Sequence, residues 1–503
     1  MLERGDILTP WFNGAPRYEK PILFYWLQLP WVATLGPSEL AARVPAALAA
    51  AASVALTYLI GRRVFGSTVA WIAALVMATS FRFVAFARQG LTDVPALFFE
   101  LLALHAFLRL DQDRASNRTW MLAWMAVGLA ALTKGPVAVI PVAVWVAYYL
   151  LRRDWPGLRR MKLLMGTLVA AAVAAPWVIY MLAVHGRAFV EVALFTEIIA
   201  RVRGQVGPPR DILYYFDVWP ADLLPWTPFF LGALAWLVGT RATLEPAVRR
   251  GVLLALVWFA GVVLLFSLPM AKLPHYLLPS HPAAALLTGL FIERATRRAA
   301  PRWLWWTGTT LVTVLLLTAS ALLWALLRRA STPDTLPPLV LTALLVAGAA
   351  AVVGYGWRQG PLAGSAALAA CAACAAAYAA LAVVPDLEGL QPVPQLGTRI
   401  AATAQPRARV AQYGSAVSAG LVYYARHPVA LVTSLDDAVA FLQEPGEAFL
   451  VLPAAEAKAI TAAAPAPVHE LASSPRLVVR LDRLFGDRSP YEDGLVVLAK
   501  QAD

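Results

Sequence analysis

Four short stretches of this chain carry side chains able to hold a phosphate or move a proton. The first is Tyr18-Glu19-Lys20-Pro21, followed by the aromatic run Ile22–Leu27. Lysine is rare here, occurring only at positions 20, 134, 162, 272, 458 and 500, and arginine does most of the basic work. A lysine on a proline-bounded turn offers a compact point charge that suits phosphate. It would equally serve to anchor an amphipathic helix at a membrane surface. The second stretch runs from Ala87 and Arg88 to Thr92-Asp93-Val94-Pro95. Asp93 reads either as the N-cap of an apolar helix or as a carboxylate aimed into a cavity beside Arg88. The third, 185–222, contains Glu197, Arg201, Arg203 and Arg210. Its arginines could clamp a phosphate bidentately or form a solvated charge run. The fourth is Met270-Ala271-Lys272-Leu273-Pro274-His275-Tyr276, a crowded turn that enters a helix. Tyrosine and histidine at such a place are often interfacial belt residues, and a lone His275 is weak as a metal ligand.

These stretches lie far apart in the chain, so larger elements must bring them together. Of the 503 residues 60% are hydrophobic and 14% charged, against about a quarter charged in soluble domains. Mean hydropathy is +0.64. Apolar segments fall near 45–61, 68–86, 94–110, 120–133, 136–151, 162–184, 223–240, 251–268, 276–292, 303–327, 338–357 and 362–384. A helix needs about 20 mostly apolar residues to cross a bilayer. The expected fold class is therefore an all-α polytopic membrane protein of about 12 spans, with a small C-terminal α/β extramembrane domain. Residues 1–43 form an outer juxtamembrane segment, 44–384 the transmembrane domain and 385–503 the accessory domain.

The net charge of +12 is distributed as a membrane protein would have it. Basic residues cluster in connections that alternate with poorer ones: Arg62 and Arg63; Arg109, Arg114 and Arg118; Arg152, Arg153, Arg159, Arg160 and Lys162; Arg241, Arg249 and Arg250; Arg294, Arg297, Arg298 and Arg302; and Arg358. Such loops are expected to be cytoplasmic, and they favour contact with anionic membrane lipids. No aromatic-basic platform suggests nucleic acid, which is excluded as a partner. The other set of connections, expected outside, comprises 1–43, 87–93, 185–222, 269–275 and the tail after Pro385. Arg328 and Arg329 fall on that side and dissent. A charge argument blind to the motifs thus puts all four chemical stretches on one face.

The tail alternates β-like runs with helical stretches at 435–443 and 453–463. The β-like runs are Val429–Val432, Ala448–Leu452, Leu477–Leu481 and Gly494–Leu498. Alternation of this kind predicts a small α/β domain. Cys371 and Cys374, with no second pair and no histidine nearby, read as small helix-packing residues.

As an ordered set the motifs resemble the 4-amino-4-deoxy-L-arabinose transferase and protein O-mannosyltransferase superfamily of polyprenyl-phosphate-dependent membrane glycosyltransferases. The run from Gly5-Asp6 to Asn13-Gly14 carries the resemblance, with Tyr18-Glu19-Lys20-Pro21 and Ser38-Glu39…Arg43-Val44-Pro45. So do Leu91-Thr92-Asp93-Val94-Pro95, Leu132-Thr133-Lys134-Gly135-Pro136 and Lys272…Pro279. The arabinosyl branch is nearer than the mannosyl branch. The resemblance implies sugar transfer, with inversion, from a polyprenyl-phosphate donor such as undecaprenyl phosphate. In the arabinosyl branch the acceptor is a lipid A phosphate; other lipid or glycan envelope acceptors stay open. It implies a bacterial inner membrane location with the active face toward the periplasm. By position, Lys20 resembles a residue that holds the donor phosphate, with Glu19 beside it. Asp93 resembles an acidic residue of the active centre, Tyr276 a phosphate-holding tyrosine and Arg201 the phosphate arginine, with Arg203 as rival. Arg88, Lys272 and His275 complete the expected substrate-binding set. The motifs single out no cofactor, and use of a divalent metal stays open.

In the family a first spanning helix and an acidic Asp-Glu motif, whose aspartate is the proposed general base, precede the position of Met1. The expected topology would also be served by one more N-terminal helix. The resemblance therefore implies a chain that is inactive, or nearly so, as written. The alternative reading is a transporter or flippase of lipid-linked sugars. Transporters show internal repeats and midplane charges; here no repeat is seen and the charges lie in outer loops.

Overall fold

The structure is a computed structural model that describes residues 1–113, 116–240, 243–329, 336–385, 391–464, 467–477 and 491–500. Arg114, Arg241, the side chains of Arg328 and Arg329, and the expected strand residues 478–481 lie outside the described residues. The chain forms two compact units. One comprises Met1–Pro10, Pro16–Leu316 and Ala347–Ala373; the other comprises Trp11–Ala15, Leu317–Val346 and Cys374–Asp503.

The helices follow the apolar runs. In order they are α1 Leu23–Leu35, α2 Glu39–Phe65, α3 Ser67–Ala78, α4 Phe81–Ala87, α5 Asp93–Gln112, α6 Asn117–Lys134, α7 Val139–Arg152, α8 Trp155–Arg160 and α9 Leu163–Val190. Then come α10 Tyr214–Asp222, α11 Thr227–Thr240, α12 Pro246–Ser267, α13 His281–Thr296, α14 Arg302–Arg329, α15 Leu336–Gln359 and α16 Pro361–Tyr378. Among the described residues seven helices are long and apolar enough to cross a membrane, or nine if each of two bent pairs makes one span. The larger count from the sequence took α6 and α7 separately, where the structure joins them through a tight turn at Gly135–Ala138. It also included α5, which carries Asp93, Glu100, Arg109 and Asp111, and α13, which has only 16 residues.

Close helix approach is built from small residues. A Cβ at Gly166 in α9 would fall inside the Trp124 indole of α6, and one at Gly128 in α6 would meet Ala170 O of α9 at 2.7 Å. Both α6 and α9 supply walls to the site described below.

The first unit has two polar ends. At one, Arg63 donates to both Asp113 oxygens at 2.8 and 3.0 Å, Tyr149 donates to Asp111 at 3.2 Å, and Trp120 and Trp124 donate to Met161 O. This joins the arginine-rich connections. At the other, Met270 N donates to Val202 O and Ala271 N to Arg201 O, so the connections 185–222 and 269–275 are stitched together. The positive-inside sorting had grouped these same segments.

The second unit holds a five-stranded sheet in the order β4-β3-β5-β7-β6. Its strands are β3 Arg409–Tyr413, β4 Val429–Val432, β5 Ala448–Pro453, β6 His469–Leu477 and β7 Tyr491–Lys500, after a hairpin of β1 Trp11–Phe12 and β2 Ala15–Pro16. β3 runs parallel to β4 and β5, and β7 is antiparallel to β5 and β6. Central β5 is buried on both faces: Phe449 and Val451 meet the helices 392–403 and 419–425, while Leu450 and Leu452 meet the helices 435–443 and 454–463. A strand covered on both sides reads as a continuous apolar run. In the hairpin, Asn13 and Gly14 both have positive φ (51° and 83°), as a two-residue turn requires. The Asn13 carboxamide donates to Val429 O and accepts from Val429 N, each at 2.8 Å, covering part of the edge strand β4.

Candidate functional site: an ionic pocket at one end of the helical unit

A cavity of 420 Å³ opens in the first unit. Its walls are mostly apolar, from Leu132, Ala174, Trp177, Val178, Phe189 and Phe266, and one end carries Glu19, Lys20, Lys134, Glu197, Arg201 and Tyr276. Those six come from four separate parts of the chain.

Local sequence explains how each arrives. Helix α9 breaks at Gly186, whose φ of 51° and ψ of −126° suit glycine. The chain then continues as a π-type helix over Glu191–Ala200, a form common at functional sites. Four residues separate Glu197 from Arg201, so both project from one side, and Arg201 donates to Glu197 Oε1 at 2.7 Å. Lys20, on its proline-bounded turn, donates to Glu197 Oε2 at 2.6 Å. One carboxylate therefore bridges the two cations. Arg201 Nε is buried and has no hydrogen-bond partner among the described residues.

Beside this pair sits a second. Helix α6 ends at Lys134 because Gly135, at φ 67°, and Pro136 stop it. The cation lies at the negative end of the helix dipole. Lys134 donates to Asp93 Oδ1 at 2.6 Å, at the start of the neighbouring helix α5, and its ammonium lies 5.2 Å from the Tyr276 ring centroid. Asp93 was expected as a catalytic residue and N-cap. The structure instead makes Thr92 the cap residue, gives it no side-chain cap bond, and commits the buried Asp93 carboxylate to Lys134. Asp93 is not among the lining residues; Lys134 is.

His275 Nε2 lies 3.6 Å from Asp93 Oδ1, too far for a hydrogen bond, and its ring packs on Phe86 at 4.8 Å and Tyr276 at 5.1 Å. Burial pushes its imidazole down to about 4; Asp93 opposes this, and the cations Lys134, Arg82 and Lys20 reinforce it. It is therefore neutral at physiological pH. Lys272, expected to bind substrate, does not line the cavity: its buried ammonium donates to Arg210 O and Pro269 O and holds the loop's own backbone. Arg88, also expected there, is exposed at the end of α4 and outside the lining, as is Arg203. Glu19 lines the cavity and pairs with Arg17 at 3.1 Å.

A hydroxyl network pins Tyr18, which lines the cavity. His185, next to the break in α9, contacts the Tyr18 hydroxyl through Nδ1 at 3.3 Å and Thr9 Oγ1 through Nε2 at 3.2 Å. Sequence reading missed this network and the role of Lys134. The rarity of lysine was the available signal for Lys134; no local pattern marks His185. Among the described residues no three His, Cys, Asp or Glu side chains gather as metal ligands.

Fold and site together define a multi-span membrane protein with an ionic pocket backed by an apolar chamber. Residues 19–180 match the family model for dolichyl-phosphate-mannose-protein mannosyltransferases. An uncharacterized protein of Aquifex aeolicus is 34% identical over 58% of the chain and 57% of its own length. The undecaprenyl phosphate-alpha-4-amino-4-deoxy-L-arabinose arabinosyl transferase of Pseudomonas paraeruginosa is 31% identical over 73% of the chain and 66% of its own length. The chain thus spans somewhat under two thirds of the curated relatives it matches. In fold it is similar to the crystal structure of ArnT from Cupriavidus metallidurans bound to undecaprenyl phosphate. That match has a TM-score of 0.78 and 21% identity, and covers 99% of this chain and 91% of that one. The chain belongs to the superfamily that unites the 4-amino-4-deoxy-L-arabinose transferases with the protein mannosyltransferases.

Proposed function

We propose that the chain is an inverting glycosyltransferase that moves a sugar from a polyprenyl-phosphate donor to a lipid A-like or other envelope acceptor. One observation carries the reading: Lys20, Arg201, Lys134 and Tyr276 converge at the polar end of a cavity whose remaining walls are apolar. A polyprenyl chain needs such walls, and its phosphate needs cations and hydroxyls at the head. The names of the arabinosyl transferase relatives support the same substrate class.

In this reading Lys20 and Arg201 hold the donor phosphate and Tyr276 adds a hydroxyl. The acceptor oxygen attacks the anomeric carbon. The bond from that carbon to the phosphate oxygen breaks, its electron pair stays on the phosphate, and the two cations stabilise the growing charge. The acceptor's proton passes to a carboxylate base or to water. Asp93 keeps Lys134 in place against Tyr276 and so positions rather than reacts. The site faces the periplasm of a bacterial inner membrane, as the sorting of arginine-rich connections predicts. Residues 385–503, which carry the five-stranded sheet, form a periplasmic accessory domain.

The test is direct binding to the purified full chain in lipid nanodiscs. Undecaprenyl phosphate is expected to bind saturably and inorganic phosphate far more weakly, with the lipid's binding lost in Lys20→Met. Equal affinity for the two, or full binding by the Lys20→Met chain, would show that the pocket does not read a lipid phosphate.

A further inference from the structure

We propose that Glu197 sets the net charge of the phosphate site, matching it to the singly charged donor diester and weakening its hold on the monoester product. The inference rests on the phosphate-site reading above and adds a role for a residue which that reading leaves unused.

Five ionisable residues other than tyrosine line the cavity: Glu19, Lys20, Lys134, Glu197 and Arg201. Two of them are balanced from outside the lining, Lys134 by Asp93 at 2.6 Å and Glu19 by Arg17 at 3.1 Å. Lys20, Arg201 and Glu197 remain. The carboxylate spends one oxygen on each cation, at 2.6 and 2.7 Å, and is largely buried. The cluster therefore carries one net positive charge.

Donor and product differ in charge at this spot. A polyprenyl-phosphate sugar is a phosphodiester with one negative charge. When the sugar leaves, the phosphate keeps the electron pair of the broken bond and becomes a monoester. Above its second ionisation, near pH ~6, a monoester approaches two negative charges. One net positive charge balances the diester. The second charge of the monoester meets the Glu197 carboxylate, which shares the same two cations, and like charges at such a separation repel strongly where water is scarce. Without the carboxylate the site would carry two positive charges and favour the product. Glu197 thus occupies the cations when the site is empty, yields to the donor and competes with the product. The groups that face it are Lys20 and Arg201, with Tyr276 beside Arg201.

The sign of one substitution separates this from a purely structural role. Affinities of farnesyl phosphate, a monoester, and farnesyl methyl phosphate, a diester, are measured on the full chain in nanodiscs at pH 8 and pH 5. Wild type is expected to bind the two within a few-fold of each other. Glu197→Gln, which keeps the shape and removes the charge, is expected to favour the monoester by about tenfold or more at pH 8. That preference should shrink at pH 5. Glu197→Asp, which keeps the charge, should retain the wild-type ratio. Weaker monoester binding by Glu197→Gln, an unchanged ratio, or the same change in Glu197→Asp would each overturn the proposal while leaving the phosphate site standing. Failure of wild type to bind either lipid would overturn the phosphate site itself, and this proposal with it.

Discussion

The two polar ends of the helical unit use the same side chains to different effect. At the arginine-rich end Arg63 meets Asp113 at 2.8 Å, with side chains 30% and 42% exposed. At the pocket end Lys134 meets Asp93 at 2.6 Å, with side chains 16% and 7% exposed. An exposed pair contributes little because water screens it and two flexible side chains must be ordered. A buried pair is costly to assemble and more costly to break, since either partner alone is a stranded charge. Lys134, unlike the ions of the other end, also lines a cavity. Ion pairing alone therefore does not mark a functional site; pairing that is buried and faces an otherwise apolar chamber does.

The largest expected difference between the ends is in stability. Asp93→Asn leaves Lys134 charged, largely buried and without its carboxylate, which should cost about 3–5 kcal/mol. Asp113→Asn should cost no more than about 1 kcal/mol. Denaturant unfolding of the two variants in matched detergent would measure both. Similar losses would mean that burial does not separate the ends.

Binding should separate them next. If Arg201 holds the lipid phosphate as proposed, Arg201→Ala removes one charge-assisted hydrogen bond of about 1.5–3 kcal/mol and should weaken undecaprenyl phosphate binding by roughly 10–100-fold. Arg63→Ala, at the far end, should leave that affinity within about twofold. A shared loss would point to general damage rather than a local site.

What could be read beforehand follows the same division. The spans were legible because hydrocarbon demands long apolar runs. The grouping of 185–222 with 269–275 was legible because arginine placement is a property of whole loops. Lys20 and Tyr276 could be named because each sits in an ordered motif, and Arg201 only by its position in the stretch 185–222, with Arg203 as rival. The partner of each charge was not legible. Asp93 was read as a cap from its neighbour Pro95, a local signal, but its carboxylate answers to Lys134, 41 residues on. Lys272 looked like a ligand by type and place, yet backbone carbonyls of Arg210 and Pro269 surround it. In the tail, β4 and β5 matched their apolar runs, while β3 was missed because Arg409 and Gln412 dilute its pattern.

The smallest expected effect is the one that would sharpen the comparison most. Among the described residues His185 has no ion-pair partner, yet it joins two segments that bring cations to the pocket. Its Nδ1 meets Tyr18, two residues before Lys20, and its Nε2 meets Thr9. Its own helix breaks one residue later and goes on to carry Glu197 and Arg201. Tyr18 is further fixed by Phe189, whose ring lies 6.1 Å away edge-on. In the neutral ring one nitrogen accepts and the other donates, so both hydroxyl contacts can be made at once. Two neutral hydrogen bonds contribute about 0.5–1.5 kcal/mol each. If about one bond's worth of this reaches the phosphate site, donor affinity in His185→Ala should fall by roughly 2–13-fold. The counterpart at the arginine-rich end is Tyr149→Phe, which removes the bond to Asp111 and should reduce stability by a similar small amount without touching donor affinity. Coupling decides the matter. If His185 acts by holding Lys20 and Arg201 in register, its loss should matter much less in an Arg201→Ala background, where the register no longer serves a phosphate. If the two losses simply add, His185 is ordinary packing and the network has no special tie to the site.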